Sequence, residues 1–505
     1  MPDRYVKKIL QARVYDVAIE SPLHDVALMS GRLNNRVLLK REDLQPVFSF
    51  KLRGAYNKIA GLSEEQQQRG VICASAGNHA QGVALAAGYL GLKAIIVMPR
   101  TTPDIKVRSV RERGGKVVLH GDSFDEALEH ALILQERDGL TFVHPYDDPD
   151  VIAGQGTVGM EILRQHTGPI DAIFLPVGGG GLAAGVAAYI KYLRPEIRIV
   201  AVEPEDAACL KAAMEKQRRV VLQEVGLFAD GVAVKQVGKE TFRVLRRCVD
   251  EVITANTDEI CAAVKDIFED TRSIAEPAGA LALAGLKNWV AQHGVEGKTL
   301  VAIHSGANVN FDRLRHIAER AEVGEQREAI LAVTIPERPG SFRQFCQTLG
   351  RRGITEFNYR YRDAAAATIF VGVQMRPGSD DLATLVQALE EKDYPVVDMT
   401  GNEMAKVHIR HMVGGHASVP DVEELLFRVQ FPERPGALLK FLSALGGRWN
   451  ISLFHYRNHG AAYGRVLVGF QVPVGAEARL RRDLRDVPYP MTEETDNPAF
   501  QLFLS

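Results

Sequence analysis

Cysteine is scarce in this chain. Five occur in 505 residues, at positions 73, 209, 248, 261 and 346, with no CxxC pair among them. An odd count at wide spacing argues against a disulfide framework and against thiolate metal ligation. It points to reduced core thiols in a cytosol-like compartment. Long apolar runs are missing too, so no segment reads as a bilayer span. The opening stretch MPDRYVKKILQARVYDV lacks the apolar core of a secretory signal, and the expected location is the cytoplasm. Neither sign of charge is in large excess. The net value is −2, which gives no reason to expect nucleic acid or an anionic membrane surface as a partner. What is present is ordinary for a globular protein: 46% hydrophobic and 25% charged residues, in a length that allows two or three domains.

Through about residue 320 short apolar runs alternate with helix-like sequence. VICASAGNHAQGVALAAGYLG at 71–91, KAIIVMPRTTPDIKVRSVRERGG at 93–115 and DAIFLPVGGGGLAAGVAAYIKYL at 171–193 each read strand, loop, helix. IRIVAVEPEDAACLKAAM at 197–214 and TLVAIHSGANVNFDRLRHIAER at 299–320 continue the series. Strands that are apolar throughout and alternate with helices predict parallel sheets covered on both faces, an α/β class. Ligands then bind beyond the carboxyl ends of the strands.

Composition shifts at AEVGEQREA, residues 321–329, the expected linker. Beyond it the chain repeats itself. PERPG begins at Pro336 and again at Pro432, and ITEFNYR recurs as ISLFHYR 97 residues on. A duplication is the economical account. Each copy, 330–405 and 424–505, reads strand, helix, two strands, helix, strand: an α+β, ferredoxin-like pattern in tandem.

Three loops of the first region carry candidate chemistry. Gly178, Gly179, Gly180, Gly181 and Leu182 follow the strand IFLPV directly. Contiguous glycines let main-chain N–H groups close on an anion at a helix N-terminus, and one such nest suits a monophosphate. A dinucleotide fingerprint would instead be spaced GxGxxG near the first strand. In Ser75-Ala76-Gly77-Asn78-His79 the main chain and the Ser75 hydroxyl can hold a carboxylate, and the Asn78 amide can donate to a phenolate; Ser75 or Asn78 as a plain N-cap is the simpler alternative. His79 by itself reads as a packing or hydrogen-bonding histidine. Ser305 either caps the next helix or presents its hydroxyl to a ring nitrogen, and Glu276 reads as a helix cap or a direct participant. Lys51 sits in the apolar, small-residue stretch FSFKLRGAYNKIA at 48–60. Either its stem snorkels or its amine is chemically occupied. A buried lysine, a monophosphate nest, a carboxylate loop with a phenolate donor, and a neutral hydroxyl for a ring nitrogen together match pyridoxal 5′-phosphate acting on an amino acid.

SFKLRGA at 49–55, SAGNHAQG at 75–82, GGGGL at 178–182, EPAGAL at 276–281 and SGANVNF at 305–311 occur in this order. With them the chain resembles the fold-type II pyridoxal-phosphate enzymes, most closely the biosynthetic threonine ammonia-lyases, over nearly its whole length. The C-terminal repeats resemble ACT-like regulatory subdomains. The resemblance implies that Lys51 carries the cofactor as an imine and that Phe50 packs near its ring. It implies that Asn78 bonds the ring hydroxyl, that 178–182 hold the phosphate, and that Ser305 faces the pyridine nitrogen. Ser75, Ala76, Gly77, Asn78 and His79 would surround the substrate. It further implies β-elimination from threonine to 2-oxobutanoate and ammonia, inhibition by isoleucine opposed by valine, and a homotetramer. Effector contacts are expected near Phe357, Tyr359, Phe454 and Tyr456, with core packing as the alternative role for those rings. Metal-dependent relatives place a Glu, an Ala carbonyl and an Asp around a cation; here Glu203 and Ala207 fit but Cys209 replaces the Asp, so no divalent site is expected. Serine dehydratase, serine racemase or threonine synthase activity on the same scaffold, and a non-catalytic amino-acid sensor, are the competing readings.

Overall fold

The computed structural model describes residues 2–325, 327–336, 345, 348–349, 352, 354–360, 366–376, 381–411, 422–432, 449–457 and 463–504. It divides into two compact units, Met1–Ala321 and Glu322–Ser505. The polar stretch 321–329 contains the end of the helix Arg313–Gly324 and the start of the strand Glu328–Pro336. No described helix is long and apolar enough to cross a membrane. Cys73, Cys209, Cys248 and Cys261 are buried thiols; Cys346 lies outside the described residues.

The first unit holds two sheets. The larger runs in the order Leu23–Asp25, Arg36–Arg41, Thr299–His304, Ala172–Pro176, Arg198–Pro204, Glu251–Ala255. All its pairings are parallel except that of the edge strand Leu23–Asp25. The smaller sheet is parallel throughout, in the order Lys116–Leu119, Ala94–Met98, Val71–Ala74, Thr141–Phe142. Its central strands VICA and AIIVM are buried at every position, as are Ala172–Pro176 and nearly all of Thr299–His304. Such strands have no wet face, which is why they read as unbroken apolar runs rather than alternating ones.

Three helices fix the distance between the lysine and the glycine loop. The helix Lys51–Ala60 begins at Lys51, and the helix Gly181–Leu193 begins inside the glycine run. Both cross the long helix Pro149–Gln165 at backbone contact. A Cβ on Gly54 would fall 2.7 Å from the Val151 carbonyl oxygen, and one on Gly154 would fall 2.6 Å from the Arg53 oxygen. On the other side a Cβ on Gly185 would meet the Ile152 oxygen at 2.4 Å. Only hydrogen fits at these crossings, so the three axes have a single spacing.

Next to the lysine helix lies a fully buried ionic cluster. Arg53 Nε donates to Glu42 at 2.7 Å and its Nη1 to Glu161 at 2.5 Å, while Lys40 Nζ donates to Glu161 at 2.6 Å. Buried charges persist only when paired this way. The cluster ties the first turn of the lysine helix to the end of the strand Arg36–Arg41 and to the long helix.

The second unit contains two four-stranded antiparallel sheets of the same order. One runs Ile354–Arg360, Ala366–Gln374, Glu328–Pro336, Val396–Asp398; the other runs Asn450–Arg457, Tyr463–Pro473, Val422–Pro432, Met491–Glu493. The likeness extends to detail. Each has a register shift at the same place, between Ile354 and Glu356 and between Ile451 and Leu453. Asn402 and Asn497 each cap a short helix, and the two amides meet at 3.2 Å. The second helix of each copy is Asp381–Glu390 and Glu477–Arg485. The first helix expected in each lies largely outside the described residues. Phe357 and Tyr359 stand opposite Val371 and Ile369, and Phe454 and Tyr456 opposite Val468 and Val466. Their side chains lie outside the described residues.

Candidate active site

Strand ends of the first unit converge on a narrow cavity. Its lining brings together Phe50, Lys51, Asn78, Ser305, the four glycines 178–181 and Leu182. These come from three separate strand-to-helix junctions and the start of a fourth helix. Ser75, Ala76 and Gly77 form the turn that delivers Asn78 but are not part of the lining. The His79 ring is buried and bonded through Nε2 to the Val143 oxygen at 2.8 Å, and burial pushes its pKa down to about 3. This matches the packing role, and His79 is not part of the lining.

Lys51 Nζ donates to the Pro145 carbonyl oxygen at 3.0 Å and lies 5.4 Å from the centre of the Phe50 ring. Burial lowers its pKa to about 8, against the opposing pull of Glu276. The amine therefore points inward rather than snorkelling, and it gives up its proton more readily than an exposed lysine.

The glycine run is sterically obligatory. A Cβ on Gly178 would lie 2.8 Å from the Val232 Cα, and one on Gly179 would lie 2.2 Å from the Tyr146 ring. Gly180 has φ +91°, a left-handed backbone that favours glycine. The Gly179 carbonyl is turned outward, accepting from Thr241 Oγ1 at 2.7 Å and from the Gly238 N–H at 3.2 Å. The first N–H groups of the helix Gly181–Leu193 have no partner inside that helix, and its first residues, Gly181 and Leu182, line the cavity.

Ser305 is buried, and its hydroxyl donates to the Ala278 oxygen at 3.2 Å. Asn78 Nδ2 donates to Glu276 Oε1 at 2.6 Å, while Asn78 Oδ1 accepts from Asn308 Nδ2 at 2.6 Å. Glu276 precedes the helix Pro277–His293 but makes no side-chain cap bond. It lines the cavity instead, and burial, with the nearby Asp230 charge, pushes its pKa up to about 7.

Glu203 accepts from the N–H groups of Leu210 at 2.7 Å and Lys211 at 2.8 Å, which spends both its oxygens on the helix Cys209–Glu215. Among the described residues no group of three or more His, Cys, Asp and Glu side chains is placed to hold a metal ion.

Comparison with known proteins closes the question of kinship. Residues 14–306 match the pyridoxal-phosphate dependent enzymes, and 319–409 and 415–504 each match the C-terminal regulatory domain of threonine dehydratase. The chain is 58% identical over 504 residues to the biosynthetic L-threonine dehydratase IlvA of Burkholderia multivorans, covering 99% of both. It belongs to the pyridoxal-phosphate-dependent threonine dehydratase family. The Escherichia coli biosynthetic enzyme is 55% identical over 501 residues, covering 99% of this chain and 97% of its own. Among solved structures, the processed form of threonine deaminase isoform 2 from Solanum lycopersicum aligns with TM-score 0.62 and 50% identity, over 63% of this chain and 93% of that one. Maize serine racemase aligns with TM-score 0.58 and 34% identity, over 62% and 95%.

The cofactor of the family is pyridoxal phosphate, and this cavity fits it. A cradle that any Cβ would fill suits a phosphate, an inward-pointing amine suits an aldehyde, and an amide and a neutral hydroxyl suit the ring hydroxyl and the ring nitrogen. The sequence passed over Tyr146, Gly231 and Val232, which line the cavity together with Pro176 and Ala278. Tyr146 follows a strand of only two residues, Thr141–Phe142, too short to advertise its loop. Gly231 and Val232 sit in a short 3₁₀ turn with no apolar pattern.

Proposed function

We propose that this chain eliminates water from L-threonine and that the enamine released tautomerises and takes water back on hydrolysis, giving 2-oxobutanoate and ammonia at the entry to isoleucine synthesis. The observation that carries this reading is the convergence of Lys51, Asn78, the glycine cradle and Ser305 on one cavity. Lys51 would hold the cofactor's aldehyde carbon, 178–182 its phosphate, Asn78 its ring hydroxyl and Ser305 its ring nitrogen, with Phe50 beside the ring. When bound, pyridoxal phosphate supplies an electron sink that weakens the Cα–H bond of the substrate. With a pKa near 8, Lys51 Nζ is neutral often enough to take that Cα proton. Turned from the Ala278 oxygen, Ser305 Oγ would bring one hydrogen bond and no counter-charge to the ring nitrogen, which favours elimination over side reactions that need a stronger sink. The Ser75 hydroxyl and the N–H groups of Ala76, Gly77 and His79 would hold the substrate carboxylate, the Ser75 N–H being donated to the Val97 oxygen.

The division of labour is catalysis in residues 1–320, a linker at 321–329, and sensing in the repeats 330–405 and 424–505. Isoleucine would inhibit and valine oppose it, bound near Phe357, Tyr359, Phe454 and Tyr456, in a cytoplasmic homotetramer. A coupling of roughly 1–3 kcal/mol between effector and active site suffices. A keto-acid assay with threonine, run with and without isoleucine, tests both halves. Pyruvate from serine as the dominant product, or racemised serine, would replace the threonine assignment.

A further inference from the structure

Asn308 stands three residues beyond Ser305 and is half-buried. Its side-chain nitrogen donates to the Val47 main-chain oxygen at 2.7 Å and to Asn78 Oδ1 at 2.6 Å. A carbonyl oxygen can only accept, so Val47 decides that the nitrogen end of the Asn308 amide faces this corner. Facing a nitrogen, Asn78 presents its oxygen. Its own nitrogen is then turned toward Glu276 and the cavity. Reversing Asn78 would set two N–H groups against each other. The direction is imposed from the Val47 end, so it holds whether Glu276 is ionised or neutral.

The backbone keeps this chain of amides in register. The Ala307 N–H donates to the Phe48 oxygen at 2.9 Å, the Phe50 N–H donates to the Ser305 oxygen at 3.3 Å, and Ser49 and Gly306 form an antiparallel bridge. The same two segments carry Lys51 and Ser305. Val47 and Asn308 therefore move with the residues that would grip the cofactor.

We propose that Asn308 is a positioning residue, one that turns the Asn78 amide so that its N–H donors face the ring hydroxyl of the cofactor. This rests on the reading that Asn78 faces that hydroxyl. The test compares the holoenzymes of Asn308→Asp, Asn78→Ala and the double variant. Bound and free pyridoxal phosphate are measured by ultrafiltration, and the visible cofactor band is titrated with pH. Asn308→Asp keeps the shape but cannot donate to either oxygen. Its cofactor dissociation constant is expected to rise about tenfold, the effect of one lost hydrogen bond, with a band shift like that of Asn78→Ala. Because both act through one amide, the double variant should bind within about twofold of Asn78→Ala alone. Asn308→Asp with wild-type binding and band, or losses that multiply in the double variant, would overturn the proposal. If Asn78→Ala itself changes nothing, the reading of Asn78 falls and takes the proposal with it; if Asn78→Ala is impaired and Asn308→Asp is not, the proposal falls alone. Should Asn308→Asp fail to fold, Asn308→Ser, which keeps one donor for two acceptors, is judged by the same criteria.

Discussion

Asn78 and Glu276 are hydrogen-bonded at 2.6 Å although they belong to different layers of the first unit. Asn78 opens the helix that follows the strand Val71–Ala74 of the smaller sheet, whereas Glu276 precedes the helix Pro277–His293, which packs on the larger one. The bond lies in the lining of the cavity that Lys51 enters, and Glu276 acts on Lys51 by charge. Glu276, with a pKa near 7, and Lys51, with one near 8, thus line the same cavity, and the Glu276 charge holds the lysine pKa above where burial alone would put it.

Cofactor attachment should depend on pH through this pair. The lysine adds to an aldehyde only as the free amine, so after displacement with hydroxylamine and washing, the visible band should return faster as pH rises through about 8. Glu276→Gln removes the negative charge that raises the Lys51 pKa, and the midpoint should move lower. A midpoint unchanged or higher in the variant would show that Glu276 does not govern the lysine.

The same shifts set the sign of two stability terms. Glu276 has a folded pKa above its ordinary 4.5, so the folded state binds more protons between 4.5 and about 7, and stability should fall with rising pH across that window. Lys51 has a folded pKa below its ordinary 10.5, so without cofactor the unfolded state binds more protons between about 8 and 10.5, and stability should rise there. Unfolding curves of Glu276→Gln and of cofactor-free Lys51→Met should each lack one of these slopes.

Gly179→Ala places a methyl group in the Tyr146 ring, at 2.2 Å. Cofactor should be lost on dilution at least about tenfold more readily, and Tyr146→Ala in the same chain should restore part of the affinity because the obstacle is a side chain. Gly178→Ala meets the Val232 backbone at 2.8 Å instead, and Tyr146→Ala should not help it. Equal rescue of both would refute the steric origin of the loss.

Arg53→Met leaves two buried carboxylates, Glu42 and Glu161, without their shared partner. The cost should be about 3–5 kcal/mol, read as an earlier denaturant midpoint for loss of the cofactor band. A midpoint within about 1 kcal/mol of wild type would mean that Lys40 and water compensate.

Removing residues 330–505 should spare threonine turnover and abolish the response to isoleucine. A truncated chain still inhibited by isoleucine would place the effector in the first unit.

The class of fold and the duplication were both legible along the chain. A strand buried on both faces must be apolar at every position, and a strand–loop–helix unit repeats that signature locally, as in VICASAGNHAQG and IFLPVGGGG. The duplication needs only self-comparison, and the matching sheet orders and register shifts bear it out. The glycine cradle was legible because four glycines in a row strip every Cβ from the turn that opens a helix, which leaves bare N–H groups there. The role of Glu276 was not, since a glutamate before Pro277 looks like a cap and only the fold turns it to Asn78 instead.

By itself, then, the order of residues determined which segments become strands, which loops lie at their carboxyl ends, and that the C-terminal part is a tandem copy, because each follows from near-neighbour patterning. Tertiary structure alone decided which of those loops meet, how far Lys51 lowers its pKa, and which way the Asn78 amide turns. Those outcomes depend on burial and on partners such as Val47, Glu276 and Tyr146 that lie far away in the sequence, and burial and long-range contact exist only once the three glycine-paired helices have packed.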